Sequence, residues 1–269
     1  MDFVKRIVSG DFSASEIKRY VLAEAGIFWG LILTALLSYP AEHHYSIMSH
    51  TFSFLGTWDP QHNPQHWYFF SMAMAFWSMA SVPLVFYHHR RFSLISRWGA
   101  HFGAFLLLLG CIGTLGVACF PDARGQVIGK LEWTHIHEKA AVLVAIGYTL
   151  GLLWYGRMLL WDRAACALRG RPRHFDHGRL AWPYLFWLAV TATAVSNQVI
   201  WGIRYEGMKK AAAAAGTHIG SSWGESLNTI WAFPLWENIV IYALFIFLAW
   251  FTLAVPNEIP RNAEQRVTV

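Results

Sequence analysis

Charged side chains are scarce in this chain. Lysine, arginine, aspartate and glutamate together make up 14% of its 269 residues, whereas hydrophobic residues make up 55%. A soluble domain carries about 25% charged residues. This shortage argues against a soluble domain, and it predicts an all-α membrane protein instead.

Cysteine is also rare, with three residues in the chain, and no C-x-x-C pair occurs. Cys111 and Cys119 belong to one apolar run and Cys166 to a basic stretch. Neither a disulfide framework nor thiol redox chemistry is therefore indicated. The net charge is +5, but the basic residues lie between apolar runs. That distribution argues against nucleic acid as a partner.

Six apolar runs are long enough to cross the hydrocarbon core of a bilayer, which takes about 20 helical residues. Backbone groups in lipid need partners within their own segment, so these runs are expected to be helices. We predict a polytopic bundle of six transmembrane helices within residues 21–254, between an N-terminal segment, 1–20, and a C-terminal tail, 255–269. The predicted spans are 21–39, 67–88, 98–119, 137–160, 181–203 and 229–254.

The distribution of lysine and arginine predicts the orientation of the bundle. Fifteen of the 21 such residues lie near the two termini or in the loops after the second and fourth spans. Because cytoplasmic loops are enriched in lysine and arginine, both termini are expected to be cytoplasmic. In a bacterium this corresponds to the inner (plasma) membrane, with the other three loops on the outer, periplasmic side.

Local patterns predict details of the helices. Residues Ser13 to Glu16, "SASE", form a capping box that starts a helix ahead of the first span. Thr134 is expected to cap the fourth span through its hydroxyl. The run "KKAAAAAG", residues 209–216, predicts a short outer helix that ends at glycine. Close packing against the third span is expected from its glycines, which are Gly103, Gly110, Gly113 and Gly116.

The loop after the first span is rich in histidine. Its sequence, "EHHYSIMSHTFSFLGTWDPQHNPQHW", holds five histidines and one aspartate. The middle of this loop alternates polar and apolar residues, so it either lies in the membrane interface or dips back into the bundle. Its candidate site residues are His50, Asp59 and His62.

Polar residues also gather in the loop after the third span. The stretch "LEWTHIHEKAA" brings His135, His137 and Glu138 to the start of a helix, and Asp122 lies earlier in the same loop. The positive end of a helix disfavours imidazolium, and neutral imidazole is the form that binds a metal. Residues two apart on a helix point to different faces, so one of the two histidines is expected to face the bundle centre.

Polar residues lie inside the last two spans. The stretch "VSNQVIW" contains Asn197, and "PLWENIV" contains Glu237 and Asn238. At about 1.5 Å per residue these groups lie roughly 10 Å below the outer surface, a matching depth at which they can meet. An ionisable group inside a span usually faces the bundle interior or a wet cavity. The alternative is an interhelical hydrogen bond that fixes packing.

Together these groups predict an outward-facing polar pocket. Zinc chemistry needs about three N or O ligands and an open position for water, and a carboxylate outside the metal shell acts as general base. The candidate metal ligands are His50, Asp122, His135 and His137. The candidate proton-transfer residues are Glu237 and Glu138. The other predicted pocket residues are Asn197, Asn238, Asp59 and His62.

The stretch from Tyr45 to about Leu160 resembles the bacterial domain-of-unknown-function family 998. The matching pieces are "YSIMSHTFSFLG", "HNPQHWYFF", the glycine-rich third span, "FPDARG" and "HIHEKAA". That family is similar to the Frag/DRAM/Sfk group, which includes proteins of lipid-anchor remodelling. The resemblance implies a multi-helix membrane protein with a polar site on its outer face.

A second likeness is to the superfamily of alkaline ceramidases and adiponectin receptors. Those proteins are zinc-dependent membrane hydrolases with a Ser-x-x-x-His element, an aspartate and a late His-x-x-x-His. Ser46 and His50 fit the first element and Asp122 the second, which makes Ser46 a candidate catalytic residue. The third element is missing, because His135 and His137 are two apart, and six spans stand in place of seven.

Three functions remain open from the sequence. The first is a lipid-modifying enzyme, a metal-dependent hydrolase or acyl transferase acting on a lipid that enters from the outer leaflet. Its zinc would lower the pKa of bound water toward about 7. The second is a non-enzymatic protein that binds or transports a lipid or small molecule through the same pocket. The third is a haem or electron-transfer protein. Membrane lipid is the expected partner.

Overall fold

The computed structural model describes residues 3–122, 125–129, 131–170 and 174–255. Most of this part of the chain is helical. The helices are α1 (Phe3–Val8), α2 (Ala14–Leu37), α3 (Tyr68–Phe92), α4 (Arg97–Cys119), α5 (Trp133–Arg169), α6 (His177–Ala214), α7 (Ser222–Ser226) and α8 (Phe233–Ala254). Two 3₁₀ turns, Ala41–His43 and Phe52–Gly56, lie between α2 and α3. An antiparallel hairpin of β1 (Val127–Ile128) and β2 (Leu131–Glu132) precedes α5.

Six of these helices are long and apolar enough to cross a membrane, namely α2, α3, α4, α5, α6 and α8. The prediction of an all-α bundle with six spans is therefore confirmed. The capping box is confirmed as well: the Ser13 backbone N–H donates to the Glu16 carboxylate at 2.7 Å, and the Glu16 N–H donates to the Ser13 hydroxyl at 3.4 Å. The predicted C-terminal tail, apart from Val255, lies outside the described residues.

Two local predictions are wrong. Residues 209–214 do not form a separate helix but continue α6, which ends at Ala214. Hydropathy marks the lipid-embedded part of a helix, whereas backbone hydrogen bonding extends past it into water. Thr134 does not cap α5, because Glu132 occupies the N-cap position. The Thr134 hydroxyl is instead buried without a hydrogen-bond partner among the described residues.

The ends of the helices lie at two opposite faces of the bundle. At the N-terminal face, where α2 begins, the Asp11 carboxylate lies 3.2 Å from the guanidinium of Arg90 near the end of α3. The hydroxyl of Tyr87 donates to the carbonyl of Val255, just past α8, at 3.4 Å. The opposite face, which we call the loop face, carries the segment between α2 and α3.

Helices α4 and α5 form the most extensive helix pair of the bundle. Glycines of α4 allow this approach, since a Cβ on Gly113 would lie 2.7 Å from the Val144 nitrogen and one on Gly103 would lie 2.6 Å from the Tyr155 ring. The prediction of close packing against the third span is confirmed. Helix α3 packs on the other side of α4, α2 on α3, and α8 on α6.

Candidate functional site

The segment between α2 and α3 dips into the bundle at the loop face. Its second 3₁₀ turn, Phe52–Gly56, buries Phe52 and Leu55 almost completely. The Phe52 ring lies 5.3 Å from Phe70 of α3 and 6.1 Å from Tyr242 of α8. Of the two alternatives left open by the sequence, the structure adopts the one in which the loop returns into the bundle, because its apolar positions fill the space between α3 and α8.

Asn238 of α8 holds this segment in place. The side chain is fully buried, and its Nδ2 donates to the carbonyl oxygens of His50 at 3.1 Å and Pro234 at 2.8 Å. Its Oδ1 accepts a hydrogen bond from the hydroxyl of Tyr45 at 3.3 Å. Because this one amide forms hydrogen bonds to two residues of the loop, it fixes the depth of the loop in the bundle and the orientation of the loop.

The rings of two histidines in this segment lie close to each other and to aromatic side chains. The rings of His50 and His62 lie 5.8 Å apart, and His62 stacks on Phe54 at 4.0 Å. The hydroxyl of Tyr39 lies 3.2 Å from Nδ1 of His62. The His50 ring also lies 5.5 Å from Tyr45. Side chains that are distant in the sequence therefore form one compact group.

His50 carries its proton on Nε2. Its Nδ1 accepts a hydrogen bond from the backbone N–H of Ser46 at 3.3 Å, and the Ser49 hydroxyl lies 2.9 Å from the same nitrogen. A ring nitrogen that accepts from a backbone N–H is unprotonated, so the neutral ring holds its hydrogen on the other nitrogen. Burial lowers the pKa of His50, and the nearby His43 adds to this effect.

His62 is affected in the same direction. Burial lowers its pKa, while the nearby carboxylates of Asp59 and Asp122 act the other way. Burial likewise raises the pKa of Tyr39 to about 12, with Asp59 adding to the effect. Both histidines are therefore favoured in their neutral form, and Asp59 and Asp122 lie within electrostatic range of His62.

Glu237 completes the group from α8. Its carboxylate accepts a hydrogen bond from the backbone of Phe52 and lies within electrostatic range of Asp122. Its Oε2 is buried and has no hydrogen-bond partner among the described residues. A buried carboxylate oxygen without a partner is costly, so this atom marks a place where a ligand or water donor belongs.

We call this group the loop-face cluster. It consists of His50, Asp59, His62, Asp122 and Glu237. The hydroxyl of Thr57 ties its two loops together by donating to the carbonyl of Asp122. Two of the predicted metal ligands and three of the other predicted site residues thus lie in one region of the loop face.

Other predicted residues lie elsewhere. His137 is buried and hydrogen-bonds through Nδ1 to the carbonyl of Phe120 at 2.8 Å, whereas His135 and Glu138 are exposed. One histidine of the pair therefore faces inward, as the helix spacing predicted. Asn197 accepts a hydrogen bond from its neighbour Gln198 at 3.3 Å, and the described residues show none between it and Glu237.

The described part of the chain contains no group of three or more His, Cys, Asp or Glu side chains arranged to hold a metal ion. His135 and His137 diverge, as two residues at this helix spacing do. The predicted zinc ion therefore stays a prediction. Ser46 contacts His50 through its backbone, and its hydroxyl accepts from the N–H of Met48 at 3.2 Å.

Sequence reasoning missed three residues of this site. Tyr39 and Tyr45 pack on the histidines, and Ser49 contacts His50 through its hydroxyl. Aromatic residues near a membrane surface are expected at the interface in any case. Their positions in the sequence therefore do not distinguish them from ordinary interface residues. Only the fold of the loop shows that they belong to the site.

An apolar groove of about 340 Å³ adjoins the cluster. Trp58, which lies between Thr57 and Asp59 in the chain, forms one wall, and Pro121, which precedes Asp122, forms part of another. The ring of Trp58 lies 5.0 Å from both Trp67 and Trp133. We call this the tryptophan groove. Its other lining residues are Tyr68, Ser71, Met72, Ala75, Ala118 and Cys119.

Comparison with protein-family models, with curated proteins and with solved structures finds no match. The resemblances suggested by the sequence motifs therefore stay predictions, and the functional argument rests on the geometry of the loop face.

Proposed function

We propose that this protein binds a membrane lipid at its loop face. The lipid's polar headgroup lies against the loop-face cluster and its apolar chain lies in the tryptophan groove. The observation that carries the proposal is the buried Oε2 of Glu237, which has no hydrogen-bond partner among the described residues and lies in the half of the bundle that carries the groove. A ligand with a donor at one end and a hydrocarbon at the other satisfies both features.

The charges of the cluster specify the headgroup. The cluster contains three acidic side chains and two histidines whose neutral form is favoured by burial, and Asp122 lies within electrostatic range of both His62 and Glu237. Among the residues that the structure describes, neither lysine nor arginine belongs to the cluster, so an anionic phosphate would meet like charge there. Hydroxyl or amino groups, which donate hydrogen bonds to carboxylates, fit instead. The expected ligand is a lipid whose headgroup is rich in such donors.

The groove specifies the other end of the ligand. Its walls are apolar side chains from α3, α4, the start of α5 and the loop segment. Lipid-binding sites combine a largely apolar pocket with a few placed polar groups. The tryptophans also suit the level of the headgroups, where indole rings prefer to lie. A chain in this groove therefore enters sideways from the lipid.

Retention of lipid by the purified protein tests the proposal. The protein is solubilised, delipidated with mild detergent, reconstituted with mixed lipids and analysed by native mass spectrometry. Glu237→Gln should lower the retention of the donor-rich lipid by about ten- to hundredfold, because a hydrogen bond to a charged group contributes about 1.5–3 kcal/mol. Trp133→Ala should lower the retention of all chain-bearing ligands.

Asn197→Ala is the matched control, since Asn197 is a partly buried polar residue of a neighbouring span outside the cluster. It should retain lipid like the unaltered protein. Equal retention by Glu237→Gln and the control, with both proteins folded, would overturn the proposal. Preference for an anionic phospholipid over a hydroxyl- or amine-rich lipid would overturn the assignment of the headgroup.

A second candidate function is an acyl hydrolase or acyl transferase at the same site. The Ser49 hydroxyl lies 2.9 Å from the unprotonated Nδ1 of His50, which is the distance of a serine activated by a base. This pairing favours Ser49 over Ser46 as the nucleophile. In that reaction the Ser49 oxygen attacks the acyl carbon, and its proton passes to His50 and then to the leaving group.

Substitution at Ser49 separates the two candidates. If the protein is an enzyme, Ser49→Ala abolishes the release of fatty acid from labelled lipid in vesicles but leaves lipid retention intact. If the protein is a binder, the unaltered chain retains lipid and releases no product. Activity that survives in Ser49→Ala would rule out this nucleophile.

A further inference from the structure

A second polar site lies inside the bundle, away from the loop-face cluster. Glu24 of α2 is only 6% exposed and lies about 15 Å from the start of its helix, near the level of the bilayer centre. The hydroxyl of Ser81 on α3 donates to its Oε1 at 3.2 Å. An ionisable group at this depth is rare, and it commonly marks a pathway for ions or protons.

A small cavity adjoins this carboxylate. It has a volume of about 30 Å³, which is room for one or two water molecules. It lies between α2, α3, α4, α5 and α8, and its polar lining includes Glu24, Ser81, His88, Tyr148 and Thr252. A water molecule there would find hydrogen-bond partners on several different helices.

His88 and Thr252 mark the other end of the cavity. His88 is 2% exposed, and its Nε2 lies 3.1 Å from the hydroxyl of Thr252. His88 lies about 6 Å before the end of α3, which reaches the N-terminal face. The cavity therefore extends from the middle of the bundle toward that face.

We propose that Glu24 is a proton-binding site that exchanges its proton with the N-terminal face through this cavity. Water between His88 and Glu24 carries the proton. The carboxylate takes it up and becomes a neutral carboxyl, which changes the charge of the site by one. The site is independent of the lipid site proposed above, because its residues and the face it opens to are different.

The other titratable groups around Glu24 are compatible with this role. They are Tyr20 on its own helix, His88 on α3, Cys111 on α4 and Tyr148 on α5. Helix α8 contributes Thr252 but no titratable side chain to the described lining of the cavity. Within this group no lysine or arginine faces the carboxylate. The hydrogen bond from Ser81 and solvation by water therefore stabilise its charged form.

The oxygen atoms that line the cavity favour a proton over a larger cation. A metal cation such as Na⁺ needs several oxygen ligands at once, and this cavity offers the Glu24 carboxylate and the hydroxyls of Ser81, Tyr148 and Thr252. The hydroxyls of Ser81 and Thr252 lie at opposite ends of the cavity, since Thr252 pairs with His88, and the Tyr148 hydroxyl lies beside Cys111 of α4. A proton needs only the carboxylate and one water molecule.

Infrared difference spectroscopy of the full protein in lipid bilayers tests the proposal. Spectra recorded at mildly acidic and mildly alkaline pH should contain the carbonyl stretch of a buried carboxyl group that gains and loses a proton. Glu24→Gln should abolish this band. Ser81→Ala should shift its frequency, because the carboxyl loses its hydrogen bond. The band is recorded in the Glu237→Gln background, so that the buried Glu237 carboxyl does not contribute, and Glu206→Gln, at an exposed position of α6, is the control that should leave it in place.

Two outcomes would overturn the proposal. A difference spectrum of folded Glu24→Gln that superimposes on that of the unaltered protein would show that Glu24 does not titrate. If replacing the Na⁺ of the buffer by a bulky organic cation removes the band, the site binds a metal cation. His88→Gln tests the route: it should slow the response of the band to a pH jump on the N-terminal face, and an unchanged rate would overturn that entry path.

Discussion

Asn238 donates a hydrogen bond to the backbone carbonyl of His50, which lies 188 residues earlier in the chain, at 3.1 Å. The same amide accepts from Tyr45, so one buried residue of the last span holds the first loop at two points. This link fixes the loop next to Glu237, whose carboxylate accepts a hydrogen bond from the backbone of Phe52. The polar side chain of Asn238 on α8 therefore supports the candidate site.

Asn238→Leu should therefore loosen the loop segment. The substitution leaves the His50 carbonyl and the Tyr45 hydroxyl without their partner and should lower the free energy of unfolding by about 1–2 kcal/mol. Unfolding in mixed detergent measures the change, and hydrogen exchange should rise in residues 45–57. Asn197→Leu, on a helix that does not contact this loop through that side chain, should leave the exchange of the loop unchanged. Similar exchange in both variants would contradict the role of Asn238.

Acidification should destabilise the loop face. The pKa values of His50 and His62 are lowered from 6.5 in the folded protein. As the pH falls below 6.5, the unfolded chain therefore binds more protons at these two histidines than the folded protein does. Their contribution to stability is present above pH 6.5 and is lost as the pH falls toward the folded pKa values. Thermal unfolding followed between neutral and mildly acidic pH measures this slope.

The double variant His50→Gln, His62→Gln should show a shallower dependence on pH than the unaltered protein. His135→Gln is the control, because His135 is exposed. If the control reduces the slope as much as the double variant does, the buried histidines are not its source.

The packing of α4 on α5 should depend on Gly113. A methyl group there would lie 2.7 Å from the Val144 nitrogen and 2.9 Å from the Ala140 carbonyl oxygen, both of them backbone atoms that cannot move aside. Gly113→Ala should cost about 1–3 kcal/mol. Gly26→Ala on α2 meets no atom within 4 Å and should stabilise its helix by about 0.5–1 kcal/mol. The two unfolding free energies should move in opposite directions.

The pairing of Asp162 with His177 should hold α5 and α6 together at the N-terminal face. The Asp162 Oδ2 lies 2.9 Å from Nε2 of His177, and both side chains are largely buried. Asp162→Ala should lower the free energy of unfolding by about 1–3 kcal/mol, because it leaves the imidazole N–H unpaired. Arg163→Ala, at the exposed neighbouring position, should have little effect. Equal losses in both would show that the effect does not come from the pairing with His177.

The candidate site was only partly predictable. Glu237 and Asn238 stand out because polar groups inside an apolar span carry a free-energy cost that demands an explanation. The same reasoning applies to Glu24, which lies in the first span but was not singled out. Ser49 and Tyr45 carry no such mark, since serine and tyrosine are ordinary at a membrane surface.

The sequence by itself determined the six spans, the capping box of α2 and the close approach of α4 to α5. Each depends on local composition, because lipid requires apolar helices and a glycine stripe has no side chain to hold a neighbour away. Only the tertiary structure decided which polar groups meet. The loop between α2 and α3 folds inward onto Asn238 and Glu237, while the turn before α5 directs His135 outward. Contacts across more than a hundred residues depend on packing, and no local pattern specifies them.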